Sequence, residues 1–312
     1  MSATDSFARA RGAFVREDAR FRDWVTADGS SGYAAQAGRY HLYVSLACPW
    51  AHRTLIVREL KGLQDAIGVS IVDPVRDDDG WAFREVAGAT TDALHGWSLL
   101  SEAYTASDPG YRGRISVPVL WDTVTGRIVN NESADIIVML NAAFDAFAGR
   151  PELDLYPAEL RGEIDELNDR VYETVNNGVY RAGFAGSQEA YEDAVHPLFA
   201  TLDLLDERLA SRRFLFGAGQ TLADWRLFTT LLRFDAVYAV HFKCNMRRIA
   251  DYEHLPGYLR DLYQTPGIAA TVDMDHIKRH YYLTHGAINP GGIVPAGPIV
   301  DLDAPHGREA LA

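Results

Sequence analysis

Cys48 stands where two sequence patterns meet, and its position favours nucleophilic chemistry. An apolar run over residues 40–45 leads to it, and a helical pattern follows, with Ala51 and Leu55 on one face. Proline is well suited to the first helical position, so Pro49 indicates that Cys48 caps this helix. A sulfur atom there faces unpaired backbone N–H groups and the positive end of the helix dipole, which stabilise a thiolate. A small buried thiol in the core explains the cysteine equally well on local grounds.

The chain has two cysteines, and this number limits its redox chemistry. Position 51 is alanine, where a dithiol oxidoreductase carries its second cysteine, so a mixed disulfide on Cys48 needs an external thiol to resolve it. Cys244 lies between Phe242 and Met246 in a different predicted domain, and a packed thiol is its better interpretation. A disulfide between the two cysteines is the alternative that the sequence leaves open.

Two further places in the sequence stand out, one for an unusual proline and one for the start of a helix. Pro118 stands at the entry of a strand-like run, where proline cannot donate to the strand ladder. Glu132 and Ser133 open a helical pattern that includes Ile136 and Leu140, and free N–H groups at a helix N-terminus bind carboxylates. A plain N-cap role explains Glu132 and Ser133 equally well.

These residues need an α/β framework to bring them together. Residues 40–45 and 68–73 predict two buried strands, and strand–helix–strand at this spacing forms a right-handed unit with parallel strands. Residues 114–122 and 127–130 predict a β-hairpin. The connection between the two pairs, residues 76–113, is long, and its aromatic residues argue against disorder.

The second half of the chain carries helical patterns, after a segment over residues 146–151 that we interpret as a linker. Pro197 predicts a kink or break within one of these helices. Thr221 and Asp224 form a variant capping box at the start of another. The predicted helices cover residues 160–175, 191–209, 221–232 and 257–272.

Charge and hydropathy exclude several classes of function. The 312 residues carry a formal net charge of −13, which repels nucleic acid and anionic membrane surfaces. The first thirty residues lack the apolar segment of a signal peptide, and no apolar run reaches the roughly 18 residues that span a membrane, so we expect a cytoplasmic protein without membrane association. The ten histidines show no metal-ligand spacing, so we expect no metal.

The order of these patterns is similar to that of a cytosolic glutathione transferase. A strand, a Cys-Pro helix start and a Val-Pro strand are typical of thioredoxin-like domains, and an all-helical half follows. More narrowly, the chain resembles the glutathionyl-hydroquinone reductases, the Xi class of that superfamily. The motifs that carry the resemblance are Cys48-Pro49-Trp50-Ala51-His52-Arg53, Gly80-Trp81, Val117-Pro118-Val119-Leu120-Trp121-Asp122, Asn131-Glu132-Ser133, Ala223-Asp224-Trp225-Arg226-Leu227-Phe228 and Ile277-Lys278-Arg279-His280-Tyr281-Tyr282.

The resemblance implies the fold class α/β plus all-α. A thioredoxin-like, glutathione-binding domain is followed by the all-helical C-terminal domain of a glutathione transferase. The expected parts are an N-terminal extension over residues 1–36, the thioredoxin-like domain over 37–145, the helical domain over 152–285 and an extended tail over 286–312.

The resemblance also implies that glutathione is the co-substrate and the external thiol. The bond before Pro118 would be cis and face Cys48, with the backbone of Val117 pairing with the cysteinyl unit of glutathione. Glu132 would take the γ-glutamyl amino group, and Ser133 the γ-glutamyl carboxylate.

Two longer side chains complete the glutathione site that the resemblance implies. Trp81 and Arg114 would line the ligand. Arg112 and Arg127 are close alternatives to Arg114, and the sequence does not decide among the three.

The resemblance implies an aromatic quinol conjugate as the electrophilic substrate, between the two domains. Tyr180 and Tyr281 resemble the substrate-facing tyrosines of the family, and their phenol groups would hydrogen-bond a quinol oxygen. Tyr282 is an alternative to Tyr281, and interface packing would explain any single tyrosine without the motif.

Three functions agree with these residues. The resemblance implies glutathione-dependent reduction of glutathionyl-hydroquinones through a Cys48–glutathione mixed disulfide, with release of oxidised glutathione by a homodimer. An omega-type thioltransferase or dehydroascorbate reductase would use the same cysteine. A non-catalytic ligand-binding protein on this fold is the third, although binding glutathione needs no thiolate.

Overall fold

The structure is a computed structural model, and it describes residues 9–10 and 12–311. Residues 1–8 and 11 of the predicted extension, and residue 312 of the predicted tail, lie outside the described residues. The strands are β1 (Arg9–Ala10), β2 (Ala13–Phe14), β3 (Val25–Thr26), β4 (Tyr33–Ala34), β5 (Tyr40–Val44), β6 (Ile67–Ile71), β7 (Val119–Asp122) and β8 (Arg127–Asn130). The α-helices are α1 (Pro49–Lys61), α2 (Ser101–Ser107), α3 (Ser133–Ala142), α4 (Arg161–Val171), α5 (Gly178–Gly183), α6 (Gln188–Leu209), α7 (Leu222–Arg233), α8 (Leu255–Tyr263) and α9 (Met274–Thr284).

The described chain forms two compact units. The first contains Glu17–Asp154 and Ala270–His285, and the second contains Leu155–Ala269 with the described residues before 17 and after 285. Residues 270–285, which the sequence prediction placed with the helices, therefore pack in the α/β unit. The domain boundaries predicted from the sequence stay a prediction.

A four-stranded mixed sheet forms the centre of the first unit, in the order β6-β5-β7-β8. β5 runs parallel to β6 and antiparallel to β7, and β7 runs antiparallel to β8. All five residues of β5 are buried, and strands flank it on both sides. The predicted parallel pair and the predicted hairpin are thus confirmed, and with them the α/β class of this half.

Helix α1 begins and ends as its sequence dictates. Pro49 occupies the first turn, and Cys48 is the N-cap residue in an extended conformation, with φ −79° and ψ 121°. Gly62 ends the helix in the left-handed conformation, with φ 67°, and its N–H donates to the carbonyls of Arg58 and Glu59. A Cβ atom at position 62 would lie 3.0 Å from the Cα of Gly149, so glycine is also required for close approach of the two backbones.

The long connection between β6 and β7 is ordered, as its aromatic residues predicted. Residues 81–83 pair with residues 98–100: Ala82 bridges Leu99, and the carbonyl of Trp81 accepts from the N–H of Leu100 at 2.9 Å. Tyr104 of α2 is buried, and its hydroxyl donates to the carbonyl of Ser116 at 2.8 Å. The connection therefore holds Trp81 through its pairing with Leu100. It also supports the segment before β7 through the hydrogen bond from Tyr104 to Ser116.

Helix α9 is tied to the α/β unit by polar contacts along its length. His276 Nε2 lies 2.5 Å from the carbonyl of Ala87, and His280 Nδ1 lies 2.6 Å from the carbonyl of Pro74. Near the end of the helix, Thr284 Oγ1 accepts from the N–H of Arg76 at 3.1 Å. These contacts hold the tyrosines of α9 in the same unit as Cys48.

The second unit is helical, and the predicted capping box opens α7. Asp224 is fully buried and accepts from the N–H of Thr221 at 2.7 Å and from the N–H of Leu215 at 2.9 Å. The hydroxyl of Tyr258, on α8, donates to the same carboxylate at 2.8 Å. One acidic side chain thus joins three segments of the unit, and the all-α class of this half is confirmed.

The structure corrects two helix predictions in this unit. Of the kink or break predicted at Pro197, the break does not occur, since α6 runs continuously through this residue and buries Leu198 and Leu202, whose packing outweighs one lost backbone hydrogen bond; a kink there stays a prediction. The helix predicted over 257–272 ends at Tyr263, because Pro266 is followed by Gly267 in the left-handed conformation, with φ 89°. None of the helices within residues 9–10 and 12–311 has the length and apolarity that a membrane crossing needs.

The described tail, residues 286–311, contains no helix or strand, as predicted, and its end is anchored. Arg308 is 3% exposed, and its guanidinium donates to the carbonyls of Leu209, Arg212 and Arg213. A cation bound to the last carbonyls of α6 is favourable for the helix dipole. The tail therefore ends on the helical unit.

Candidate active site

Cys48 and Val117 form the centre of the candidate site. Cys48 is a free, half-buried thiol, and its Sγ donates to the carbonyl of Val117 at 3.7 Å. The Val117–Pro118 peptide bond is cis, as expected from the resemblance. An accessible sulfur at the start of a helix can act as a nucleophile, and the adjacent backbone can bind the peptide part of a ligand.

The second cysteine is a packed thiol, which confirms the interpretation from sequence. Cys244 is free and fully buried, and its Sγ lies 3.8 Å from the carbonyl of Phe242. Burial raises the pKa of the Cys244 thiol well above its usual value. A disulfide with Cys48 is absent, so the alternative left open by the sequence is excluded.

Glu132 and Ser133 lie at the N-terminus of α3, and the capping interpretation is confirmed for Glu132. Glu132 is the N-cap residue, and its carboxylate accepts from the N–H of Ala134 at 3.1 Å. The Ser133 hydroxyl lies 3.4 Å from that carboxylate and accepts from the Arg53 guanidinium at 3.4 Å. Capping and ligand binding do not exclude each other, so the glutathione role of both residues stays a prediction.

Trp81 is held from both sides in the α/β unit. Its ring stacks on His280 of α9, with centroids 5.1 Å apart and an interplanar angle of 17°. The guanidinium carbon of Arg76 lies 5.7 Å from the ring centroid of Trp81. Trp81 is only 6% exposed, so its indole is held firmly in this unit.

The structure does not decide among the three candidate arginines. Arg114 is half-buried, and its carbonyl accepts from the Tyr111 hydroxyl at 2.9 Å. Arg112 is exposed and donates to the carbonyl of Tyr111, and Arg127 is exposed at the start of β8. Arg114 thus stays the predicted ligand residue, with the other two as alternatives.

Tyr180 lies in the helical unit within an aromatic cluster. Its ring centroid is 6.0 Å from that of Tyr238 and 5.5 Å from that of Phe242. The guanidinium of Arg16 lies over the Tyr180 ring at 4.8 Å, close enough for a cation–π interaction. The cluster orients Tyr180. The role of Tyr180 towards the substrate stays a prediction.

Tyr281 and Tyr282 are consecutive on α9 and both are buried. The Tyr281 ring meets His280 and His285 edge-on, with centroids 5.2 and 5.6 Å away. Burial raises the pKa of Tyr282 to about 12, so its phenol stays protonated in the physiological range. The two positions differ by one residue, and the sequence-based alternative between them stays open.

Arg76 is a residue of this site that the sequence did not single out. It precedes three aspartates in the connection after β6, a pattern that predicts only a solvated turn. In the structure its Nε is buried without a hydrogen-bond partner, and its guanidinium faces Trp81. Only the three-dimensional arrangement reveals it.

The described residues of the site provide hydrogen-bond donors and a thiol. They do not form a metal centre. Among residues 9–10 and 12–311, no group of three or more His, Cys, Asp or Glu side chains could hold a metal ion. The arrangement is suited to thiol chemistry on a peptide-like ligand.

Comparisons with known proteins agree with this arrangement. Residues 47–143 match the model of the glutathione S-transferase N-terminal domain, and residues 188–261 match that of the C-terminal domain. The chain is 54% identical to the glutathionyl-hydroquinone reductase YqjG of Escherichia coli K-12, over 96% of this chain and 93% of that protein. It is 52% identical to the glutathionyl-hydroquinone reductase PcpF of Sphingobium chlorophenolicum, over 93% of this chain and 91% of that protein.

Solved structures show the same relationship. The glutathione-bound structure of YqjG matches with a TM-score of 0.91, covering 93% of this chain and 96% of that chain at 54% identity. The Xi-class glutathione transferase of Natrialba magadii matches with a TM-score of 0.93, covering 98% of this chain and 94% of that chain at 52% identity. The chain belongs to the glutathione S-transferase family, and within it to the Xi class that includes the glutathionyl-hydroquinone reductases.

Proposed function

We propose that this protein reduces glutathionyl-hydroquinones to hydroquinones, with glutathione as the reductant. The observation that carries the proposal is the free Cys48 thiol at the start of α1, 3.7 Å from the Val117 carbonyl. Two relatives that are 54% and 52% identical over nearly their full lengths are glutathionyl-hydroquinone reductases. The glutathione-bound structure of YqjG supports glutathione as the ligand of the α/β unit.

In the first half-reaction, the Cys48 thiolate attacks the glutathione sulfur of the thioether. An S–S bond forms, the bond from sulfur to the ring carbon breaks, and its electron pair stays on that carbon, which takes up a proton. The products are a Cys48–glutathione mixed disulfide and the hydroquinone. Tyr180 and Tyr281 hydrogen-bond the quinol oxygen, and a tyrosine helps to protonate the leaving hydroquinone.

In the second half-reaction, the thiolate of another glutathione attacks the glutathione sulfur of the mixed disulfide. Oxidised glutathione leaves, and Cys48 regains its thiolate. Residue 51 is alanine and Cys244 is fully buried, so an external thiol has to perform this step. The conjugate is reduced by two electrons, and two glutathione units end as one disulfide.

Glutathione is held by its backbone and by its γ-glutamyl end. Val117 pairs with the cysteinyl unit, while Glu132 and Ser133 take the γ-glutamyl amino group and carboxylate. The free N–H groups and the dipole at the start of α3 support carboxylate binding there. Trp81 and Arg114 line the rest of the ligand.

An omega-type thioltransferase or dehydroascorbate reductase is the second candidate. Glutathione S-transferase omega-like 2 of Schizosaccharomyces pombe, 46% identical over 94% of this chain, favours it by its name. The test is turnover with a glutathionyl-hydroquinone, a glutathionylated peptide and dehydroascorbate under the same conditions. Preference for the hydroquinone conjugate is the expected result, preference for either of the others supports the omega-type activity, and no turnover of any supports a binding protein.

We also propose a cytoplasmic homodimer, as the family resemblance implies. Sedimentation velocity at micromolar concentration should then give a particle of twice the chain's mass. A particle of one chain's mass would contradict the dimer and would leave the proposed chemistry unaffected.

A further inference from the structure

We infer that Arg76, which lies over the ring of Trp81, binds a carboxylate on the aromatic ring of the substrate. The site then takes hydroquinone conjugates that carry an acidic ring substituent and prefers them to their neutral counterparts. The inference deepens the proposed function and rests on it, because it gives the aromatic part of the conjugate a place in the α/β unit. Arg76 itself lies outside the motifs of the sequence resemblance.

The side-chain donors of Arg76 have no acceptor among the residues that the structure describes. Its Nε is buried and unpartnered. The residue as a whole is half-buried, so the outer end of the guanidinium stays within reach of a ligand. Burying part of a guanidinium without an acceptor is costly, and a bound anion would supply the acceptor that these donors lack.

The acidic side chains near Arg76 in the chain do not neutralise it. Asp77 pairs with Arg84, and Asp73 lies 3.4 Å from the same guanidinium. The two aspartates after Asp77 are exposed to solvent. The positive charge of Arg76 is therefore not offset by the carboxylates of its own segment.

Arg76 lies at the edge of the sheet that carries the cysteine. β5 and β6 are parallel neighbours, with Val44 opposite Ile71, so their carboxyl ends meet at one edge. Cys48 follows the end of β5, and Arg76 follows the end of β6. Ligands of α/β sheets bind outside the carboxyl ends of the strands, so a conjugate whose sulfur is at Cys48 can extend along this edge to Arg76.

Contacts with α9 place Arg76 on the side of the tyrosine proposed to face the quinol. The backbone N–H of Arg76 donates to Thr284 Oγ1 at 3.1 Å. Thr284 follows Tyr281 by three positions, so the two residues lie on the same face of α9. Trp81, whose ring centroid is 5.7 Å from the Arg76 guanidinium carbon, stacks on His280 of the same helix. A quinol that bonds Tyr281 can therefore direct a ring substituent towards Arg76.

The chemistry of the side chain is suited to a carboxylate. A guanidinium presents planar N–H donors that match the two oxygens of a carboxylate, and stacking on an indole orients that plane. The γ-glutamyl carboxylate of glutathione is assigned to Ser133 at the start of α3, which follows β8, at the opposite edge of the sheet from β6. The contacts with α9 favour the aromatic ring as the source of the carboxylate at Arg76. The glycyl carboxylate of glutathione is the other source of the same chemistry.

The test is the equilibrium binding of two matched conjugates to the C48S protein, which cannot turn them over. One is the glutathione conjugate of gentisic acid, a hydroquinone with one ring carboxylate. The other is the glutathione conjugate of gentisamide, in which a neutral carboxamide replaces the carboxylate. The measured quantity is the ratio of the two Kd values by titration calorimetry.

Four further substitutions are made in the C48S protein. R76Q removes the charge, and R76M removes it while keeping an apolar stem against Trp81. R76K keeps the charge without the planar donors. R84Q is the matched control, because it removes the same charge from a more exposed position on the same connection.

We expect the C48S protein to bind the acidic conjugate about tenfold to a hundredfold more tightly than the amide. This preference should disappear in R76Q and R76M, persist in part in R76K and stay unchanged in R84Q. A preference that R76Q and R76M leave unchanged, or that R84Q lowers equally, would overturn the inference. Equal weakening of both conjugates in R76Q and R76M would also overturn it, because Arg76 would then only support Trp81.

A second arm tests the glycyl carboxylate, with glutathione and its glycinamide analogue as the probes. If R76Q abolishes the preference for glutathione over this analogue and leaves the ratio of the two conjugates unchanged, the assignment to the aromatic ring is wrong. If the protein with Cys48 intact turns over neither conjugate while the binding ratio depends on Arg76, the proposed function fails and the carboxylate subsite stands.

Discussion

The Sγ atom of Cys48 lies 3.7 Å from the carbonyl oxygen of Val117, although the two residues are 69 positions apart in the chain. They meet because β5, which leads to the cysteine, is the antiparallel neighbour of β7, which follows the valine, with Tyr43 opposite Val119. The sheet therefore sets the distance between the nucleophile and the proposed docking backbone. Substitutions at Cys48 or Val117 should therefore lower the reactivity of the site more than they lower the stability of the fold.

Replacement of Cys48 by serine should abolish reductase activity. A hydroxyl at the same place cannot form the mixed disulfide, so we expect a loss of more than about a thousandfold in turnover. Wild-type protein given a glutathionyl-hydroquinone without free glutathione should gain one glutathione by intact-mass spectrometry, and C48S should gain none.

The matched control for this change is Cys244→Ala. This thiol is fully buried, so its removal should leave turnover unchanged and lower the free energy of unfolding by about 1–2 kcal/mol. Wild-type reductase rates in C48S would refute the mechanism proposed for this protein.

The features predicted correctly from sequence depend on neighbouring residues. Pro49 after an apolar run predicted the start of α1, because proline suits the first helical position. Thr221 and Asp224 predicted the start of α7, because a capping box is a contact between residues three positions apart. The hairpin of β7 and β8 followed from two apolar runs around a short turn. Such signals are readable in one chain because both partners lie in the same short window.

The features missed by sequence reasoning depend on distant contacts. The place of α9 in the α/β unit is set by contacts such as that of His280 with the Pro74 carbonyl, over 206 positions. Arg76 lies over the Trp81 ring while Arg84 pairs with the neighbouring acids, and the sequence shows neither contact. The continuity of α6 through Pro197 likewise reflects packing of a buried face, which outweighs a local preference.

Gly62→Ala should destabilise the protein more than Gly126→Ala. Both glycines have a left-handed backbone, with φ 67° and 64°, so both changes carry the backbone cost of about 1 kcal/mol. Only at position 62 would the new Cβ meet another backbone, at 3.0 Å from Gly149, whereas nothing lies within 4 Å at position 126. Denaturant unfolding should show an excess loss of about 1–3 kcal/mol for G62A. Equal losses would show that the close approach to Gly149 adjusts freely.

The stability of the protein should fall as the pH drops below about 6.5, because two histidines are buried in neutral form. Burial lowers the pKa of His41 and of His241 to about 4. The folded state therefore binds the proton less tightly than the unfolded state, so the stability is fully present above the unfolded pKa and is lost as the pH falls from 6.5 towards 4. Each histidine should contribute a loss of about 2 kcal/mol between pH 7 and pH 5.

His41→Gln tests this pH dependence, since glutamine does not titrate and can still bond Ser70, whose Oγ lies 2.8 Å from Nε2 of His41. Denaturant unfolding at pH 7 and pH 5 should show a smaller difference between the two pH values in H41Q than in the wild type. His196→Gln, at an exposed position, is the control and should keep the wild-type difference. An unchanged difference in H41Q would contradict the neutral, buried state of His41.

Conservative replacement should separate the two neighbouring tyrosines of α9. Tyr281 and Tyr282 are consecutive, so their side chains point about 100° apart around the helix, and only one of them can face the quinol oxygen. We assign this role to Tyr281, as the family resemblance implies. Tyr281→Phe should then slow hydroquinone release in a single turnover by about 10²–10⁴-fold, because a hydrogen bond made to the leaving quinol is lost.

The second half-reaction is the internal control for this change. Resolution of a preformed Cys48–glutathione disulfide by glutathione involves no quinol, so Tyr281→Phe and Tyr180→Phe should leave its rate unchanged while both slow the first. Tyr282→Phe keeps an aromatic ring at a buried position and should leave both rates near those of the wild type. Slowing in Tyr282→Phe with a normal Tyr281→Phe would move the role to Tyr282. Normal hydroquinone release in all three variants would show that the leaving group takes its proton without help from these tyrosines.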